Sequence, residues 1–421
     1  MLFVVKNAWA LLVGMLLLMM GNGLQGTLLA VRGNIEGFNA STMSVIMTGY
    51  FVGFLIGSRL APLMIRRVGH VRVFAALASF TSAVFILYPA LPDPVIWTIL
   101  RIMVGLCFSG VYVVAESWLN DVSTNETRGQ ALSAYLIVQM LGIISAQAVI
   151  NLADPSGYQL FVIMSVLVSI SFGPILLSVN PVPAFQSTKG MSLRELFKVS
   201  PLGCVGTFLL GGIFSAQFAM GSVYATQVGM SLSHISLFVA MIYIGGMLLQ
   251  YPLGYLSDKM DRRILIAAIT GFGGVFVLIG TLFSSVYAVI LAMAFVMGGV
   301  ANPLYSVLIA YTNDYLDHDD MAAGSGGLIF LNGVGALFGP IVVGSAMTNF
   351  GPNSFFVFIG FLFLSITGYA AYRMTQRATG SVEDSGSVAP ILPQATAVMV
   401  EAAQEYAIEQ DSTDDVAEVT H

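Results

Sequence analysis

The side chains best able to do chemistry in this chain sit inside long apolar runs. Arg101, Gly105, Tyr112 and Glu116 share one such run. At about 100° per residue, a helix brings them within roughly 60° of one another. Gln217, Gly221 and Tyr224 form a second stripe, and Tyr243 and Gln250 a third. Asn22, Gln25, Gln139, Gln147, Asn302 and Asn332 interrupt further apolar runs. Such groups are costly in an apolar medium unless they meet a partner or water, so the stripes read as walls of a water-accessible solute path. Hydrogen bonds between helices would explain an individual Gln or Asn equally well. Arg101 is harder to explain that way, because a cation needs a counter-charge, a hydrated cavity or carbonyl ligands. Glu116 cannot supply the counter-charge, since fifteen residues of helix separate the pair by roughly 22 Å. No Asp, Glu or His lies in the middle of any apolar run. Glu116, near the end of its run, is therefore the candidate for coupling a proton.

The elements that must position these residues follow from composition. The chain has 421 residues, 57% of them hydrophobic and only 9% charged, with a mean hydropathy of +0.86. A soluble domain cannot hide that much apolar surface. Runs of the roughly 20 apolar residues that a spanning helix needs occur twelve times, near 8–31, 44–65, 72–92, 95–119, 130–152, 159–179, 202–227, 234–257, 264–284, 287–312, 322–348 and 354–374. The fold predicted is an all-α membrane protein of twelve transmembrane helices. Spans 3, 6, 9 and 12 carry no Asn, Gln, Arg or Glu away from their ends, so they are expected to face lipid while the others line a cavity.

With the N-terminus inside, fourteen of the sixteen Lys and Arg residues fall on the cytoplasmic side, leaving Arg32 outside and Arg101 within a span. That asymmetry predicts a multi-pass protein of a bacterial inner membrane with both termini cytoplasmic. Cys107 and Cys204 are expected as free buried thiols.

The halves align at an offset of 193. Tyr50 meets Tyr243, Gly53 meets Gly246, Gly105 meets Gly298, Tyr112 meets Tyr305, Asn120-Asp121 meets Asn313-Asp314, and Gln139 meets Asn332. Six spans per half make the repeats parallel, related by an axis along the membrane normal. The expected units are a six-helix bundle over 1–182, a cytoplasmic linker over 183–200 and a second bundle over 201–378. The tail over 379–421 carries nine acidic residues after residue 380 and reads as disordered, although residues 395–409 could form a weak amphipathic helix.

Enzyme chemistry finds no footing. There is no metal-ligand cluster, no G-x-x-x-x-G-K loop and no Ser-His-Asp arrangement, and the four histidines lie in loops, at span ends or in the tail. No cofactor or nucleic-acid partner is expected. The anticipated partners are a small-molecule substrate, the bilayer and protons, with the chain working as a monomer.

The segment Gly254-Tyr-Leu-Ser-Asp258-Lys259-Met-Asp-Arg262-Arg263 after span 8, with Arg101-x-x-x-Gly105 in span 4, resembles the signatures of the major facilitator superfamily. The resemblance covers residues 1 to about 378. Around Tyr50–Arg67, Glu116-Ser-Trp and Arg128-Gly-Gln-Ala it is most similar to a bacterial branch whose members are poorly characterised. It implies two six-helix bundles, a central cavity and alternating access by rocking. Three departures stand out. Asp261 replaces the usual loop glycine, Ile65 or Arg66 stands where the first half's loop aspartate is expected, and Ala146-Gln147 stands where antiporters carry a Gly-Pro pair. A Gly-x-x-x-Gly-Pro pattern occurs instead in span 11, at Gly335–Pro340.

By the family's geometry a charge-swapped cytoplasmic gate is expected. Asp258, with Lys259 and Arg262 beside it, would face Arg128 at the start of span 5, where the helix dipole favours an anion. Arg66 and Arg67 would face Asp317, Asp319 and Asp320 at the start of span 11. The function expected is secondary transport of a small organic solute, anionic or zwitterionic, with proton symport through Glu116. The alternatives are an efflux carrier for amphipathic compounds, and a transport-dead membrane sensor or scaffold docking through its acidic tail.

Overall fold

The computed structural model describes residues 2–123, 125–174, 191–376, 391–393 and 395–406. Among them all regular structure is helical. The spanning helices, in chain order, are α1 (Leu2–Ile35), α2 (Ala40–Val68), α3 (His70–Ala90), α4 (Pro94–Val122), α5 (Asn125–Val149), α6 (Gln159–Ser171), α7 (Pro201–Gln227), α8 (Leu232–Ser257), α9 (Arg262–Thr281), α10 (Tyr287–Asn313), α11 (His318–Phe350) and α12 (Ser354–Gln376). Eleven of these are long and apolar enough to cross a membrane, and α6 is shorter. The second part of the predicted sixth span and the boundary near 182 lie outside the described residues.

Local sequence sets the helix starts. The Asn39 side chain accepts from the Thr42 amide, and Asp93 accepts from the amides of Val95 and Ile96 ahead of a proline at the first helical position. A short helix, Leu193–Val199, lies in the connection between the halves and begins with a capping box between Ser192 and Glu195. Its leucines pack against the start of α11 at Gly324 and Gly327. That end of the bundle is called the linker end here, and the opposite end the far end.

Close backbone contact fixes the core of each half. A Cβ on Gly105 would stand 1.9 Å from the Tyr50 carbonyl oxygen, and one on Gly53 would stand 1.9 Å from that of Ile102. In the second half a Cβ on Gly298 would stand 1.8 Å from the Ile242 carbonyl oxygen, and one on Gly245 would stand 2.1 Å from that of Phe295. Without a hydrophobic drive between helices in lipid, such small-residue contacts let van der Waals packing hold them together.

These contacts correct the repeat register. α4 and α10 correspond at 193, as Gly105 does to Gly298 and Ile102 to Phe295. α2 and α8 correspond at 192, so Tyr50 matches Ile242 and Gly53 matches Gly245 rather than Tyr243 and Gly246. The starts of α3 and α9 (His70, Arg262) keep 192, whereas the starts of α4 and α10 (Pro94, Tyr287) have reached 193. The extra residue therefore falls within α9 or its connection to α10, where a surface turn absorbs it cheaply. On this register Arg66 is the counterpart of Asp258, and Gly69 the counterpart of Asp261.

Replacing Gly105 or Gly298 by Ala forces backbone apart and is expected to cost about 1–3 kcal/mol. This reads as a lower midpoint of thermal unfolding in detergent. Gly368→Ala, with open space beside it, should cause no loss; equal effects at all three sites would contradict the packing account.

Candidate functional site

The two halves meet at the far end. The Ser41 amide donates to the Thr348 hydroxyl at 3.1 Å, Asn151 donates to Ser236 at 3.1 Å, and Ser222 contacts Thr27 at 3.4 Å. Toward the linker end they diverge around two adjacent spaces. The inner chamber, about 60 Å³, is lined by Asn22, Tyr50, Tyr112 and Asn332, by the aromatic rings of Phe51, Phe54, Phe214 and Phe218, and by Pro393 and Ala395 of the tail. The outer vestibule, about 1100 Å³, is lined by α2 from Phe54 to Arg66, by α11 from Ala322 to Phe330, by Met191 and Leu193, and by tail residues Ala395–Val398 and Glu401. Among the described residues no wall residue of the chamber comes from α3, α6, α9 or α12, and none comes from α8 or α10, whose Gln250 and Asn302 led to the expectation that they line the cavity.

Arg101 is fully buried on α4. Its guanidinium lies 5.1 Å from the centre of the Tyr50 ring, one side chain behind the chamber wall. None of its three nitrogens has a hydrogen-bond partner among the described residues. Around it Gln25 donates to the Tyr88 hydroxyl at 3.2 Å, and the Trp97 indole donates to the Tyr88 carbonyl at 3.0 Å. Asn22 Oδ1, Gln25 Oε1, Gln139 Oε1, Gln217 Nε2 and Asn332 Nδ2 are likewise buried without a protein partner. Unpaired polar groups at that density are expected of surfaces that water or a solute completes. Gln217 lies on Ala216–Met220, a π-helical segment of α7, a feature frequent at functional sites.

Of the eleven predicted pathway residues, Asn22, Tyr112 and Asn332 line the chamber, and Gln25, Arg101, Gln139 and Gln217 are not among its lining. Gln147 is occupied between helices, accepting from Thr27 at 3.0 Å and donating to the Gly23 carbonyl at 3.3 Å. Asn302 donates to the Gly298 carbonyl of its own helix and packs under Gly246. Tyr224 stacks on Phe355 at 5.3 Å and meets Phe356 edge-on at 4.7 Å, so it belongs to an aromatic core. Tyr243 is buried on α8. Cys107 and Cys204 are buried free thiols, as expected.

The charged loops are engaged in ways the sequence did not foretell. Arg262 is buried and pairs with Asp314 at the end of α10, while donating to the Ala310 carbonyl at 3.4 Å and the Ser257 hydroxyl at 3.3 Å. It thus clamps the α8–α9 loop to its own half. Asp258 lies 3.5 Å from Arg262. Lys259 lies over the Tyr255 ring at 4.5 Å. Asp261 caps α9 through the Arg263 amide and pairs with the Arg263 guanidinium at 2.9 Å. Its counterpart Gly69 instead adopts φ +84°, a left-handed conformation that suits glycine. The two halves thus turn the same corner by different chemistry. Arg66 lines the vestibule, and Arg67, Asp317 and Asp320 are exposed; the side chain of Asp319 lies outside the described residues.

Arg128 pairs with Glu405 of the tail at 2.7 Å, and Glu116 also meets the tail. Its Oε1 accepts from the Tyr135 hydroxyl at 3.4 Å, and its Oε2 accepts from the Thr396 amide at 3.0 Å and from the Thr396 hydroxyl. The expectation of a disordered tail therefore does not hold for residues 391–393 and 395–406. Ile391, Leu392, Met399, Val400, Ala402 and Ala403 are buried, and residues 397–406 are helical. The reason is legible afterwards: between Asp384 and Glu401 the sequence carries no charge, enough apolar length to repay ordering against a groove. Residues 379–390 and 407–421 lie outside the described residues. Burial and the neighbouring Glu405 carboxylate push the Glu401 carboxyl above its ordinary range.

Comparison with known proteins agrees with this architecture. A family model, "Major Facilitator Superfamily", matches residues 11–233 and 202–401. The chain belongs to the Major Facilitator Superfamily. It is 26% identical over 352 residues to the uncharacterized MFS-type transporter YcaD of Escherichia coli O45:K1 (strain S88 / ExPEC), covering 83% of this chain and 91% of that protein. Its fold is similar to the nucleoside transporter NupG (13% identity, 88% of this chain and 100% of that one, TM-score 0.71). It is also similar to a variant of the Escherichia coli fucose:proton symporter FucP (15% identity, 88% and 99%, TM-score 0.57). A bacterial homolog of the human lysosomal transporter Spinster, in an inward-facing, unoccupied conformation, aligns over 98% of both chains (14% identity, TM-score 0.67). The protein is a multi-pass transporter of this superfamily and not an enzyme.

Because Arg262 is buried against Asp314, Arg262→Ala should destabilise by about 1.5–3 kcal/mol, the range for hydrogen bonds to charged groups. Lys259→Ala, at an exposed site, should stay within about 0.5 kcal/mol. Paired thermal unfolding curves check the ranking, and a larger loss at Lys259 would refute it.

Proposed function

We propose that this transporter moves a small organic anion or zwitterion by alternating access, with proton coupling through Glu116. Arg101 carries the reading. It is a cation inside a spanning helix, without a hydrogen-bond partner among the described residues, set against the Tyr50 ring that separates it from the chamber. Burial of an unpaired cation is costly enough that an anionic group on the cargo would repay part of it. The phenyl rings of Phe51, Phe54, Phe214 and Phe218 offer an apolar or aromatic part of the cargo a second contact. NupG and FucP are named for a nucleoside and for fucose with protons, which favours a polar organic cargo and symport. The aromatic walls also suit the second reading, efflux of amphipathic compounds.

The distribution of Lys and Arg favours a linker end in the cytoplasm of a bacterium and a far end outside. On that orientation the divergence of the halves at the linker end supports an inward-open reading, with residues 1–182 and 201–378 as the rocking units of a working monomer. In the outward-open state Asp258 would pair with Arg128, and Arg66 and Arg67 with Asp317, Asp319 and Asp320. At about 1 kcal/mol or less per wet ion pair, such contacts suffice to bias a balanced two-state equilibrium.

A thermal-shift screen of the purified chain against metabolites tests the cargo class. Anions or zwitterions should raise the unfolding midpoint, and Arg101→Ala should abolish the shift. Stabilisation by hydrophobic cations alone, indifferent to Arg101→Ala, would sink the anion reading in favour of efflux.

Uptake of a compound found in that way tests the gate. Asp258→Arg should lower uptake severalfold, and adding Arg128→Asp should recover part of it. No recovery in the double variant would overturn that pairing.

A further inference from the structure

We propose that residues 391–393 and 395–406 are an autoinhibitory wedge that occupies the solute path and holds the linker end open. The proposal rests on the alternating-access reading above.

Three observations carry it. First, the segment stands in the path: Ala395 lines both the inner chamber and the outer vestibule, and Pro393 closes the chamber beside it. A solute moving between the two spaces meets the chain's own backbone.

Second, the segment bridges the halves. From the first half it takes Glu116 through Thr396, Arg128 through Glu405, and Gly129 through the Tyr406 ring. From the second half Ser306 both accepts from the Ile391 amide at 2.9 Å and donates to its carbonyl at 3.0 Å. Gln404 donates to the Met321 carbonyl at 3.1 Å, to Asn313 at 3.3 Å and to Ser325. Leu392 fills the gap between α5 and α8, against Leu136, Met140 and Met247. For the halves to meet there, Leu392 must leave.

Third, the segment claims residues that the transport cycle needs. Arg128 bonded to Glu405 is removed from Asp258, its partner in the closed gate. Glu116 bonded to Thr396 is removed from proton exchange. Docking and cycling are thus mutually exclusive through two named side chains. The tether favours docking, since a segment joined to its groove by a short link sees an effective concentration on the order of millimolar. Whatever draws the segment away would start the cycle.

The test measures opening at the linker end in the full chain and needs no substrate. Spin labels at Leu63→Cys and Ala322→Cys, with Cys107→Ala and Cys204→Ala, report the distance between α2 and α11 by pulsed electron resonance in lipid nanodiscs. The full chain should give one population. A chain ending at Gly380 should add a shorter one, rising to about a tenth of the molecules or more, the scale of a populated minor state. Glu405→Arg in the full chain, which sets two arginines against each other, should shift the distribution the same way and guards against damage by truncation. An unchanged distribution in both variants overturns the wedge. A second measurement repeats the thermal-shift screen: any stabilising compound should act on the truncated chain at about tenfold lower concentration or less, a change of 1.4 kcal/mol, and equal potency counts against the wedge. A compound binding neither form tests the transport reading, while the distance measurement still tests the wedge.

Discussion

The structure depends on one constraint: a polar group inside apolar helices must be satisfied by protein, by water or by cargo. Backbone groups meet it through helix formation, which pairs every N–H and C=O within the segment itself. Side chains cannot all do likewise. Gln147 and Asn302 find protein partners and serve cohesion. Among the described residues the Arg101 guanidinium, Asn22 Oδ1, Gln139 Oε1 and Asn332 Nδ2 do not, and Asn22 and Asn332 turn toward the chamber between the halves.

The linker end follows a different rule. Its charges are few, and several have more than one available partner. Arg262 is committed, buried against Asp314 and two further oxygens. Arg128 is not. It pairs here with an acidic residue of the tail, and its helix N-terminus would accept another anion. Committed pairs hold a half rigid, whereas shared ones let two arrangements lie close in free energy. A machine that alternates needs both kinds.

Much of the fold was legible in the sequence because a membrane makes hydropathy decisive. Span number follows from apolar length, and the parallel repeat from residues that recur at a nearly fixed offset. The register was read one residue out for α2 and α8, since identity at Tyr243 and Gly246 outweighed contacts that a sequence does not display. The departures at Asp261 and Arg66 became interpretable only once Gly69, with its positive φ, was seen to occupy the place of Asp261. The aromatic cage was missed because phenylalanine is unremarkable in a spanning helix, and only convergence of α2 and α7 makes those rings a wall.

The sequence by itself determined that this is a helical, duplicated membrane transporter with a buried arginine its own span cannot neutralise. Those properties are local or periodic, so a one-dimensional reading captures them. Tertiary structure decided which polar residues face the chamber, which pair with each other, and that residues 391–393 and 395–406 of the tail lie between the halves. Each of these depends on groups distant in the chain competing for the same space and the same hydrogen bonds. That competition is settled by packing, and no spacing along the chain records it.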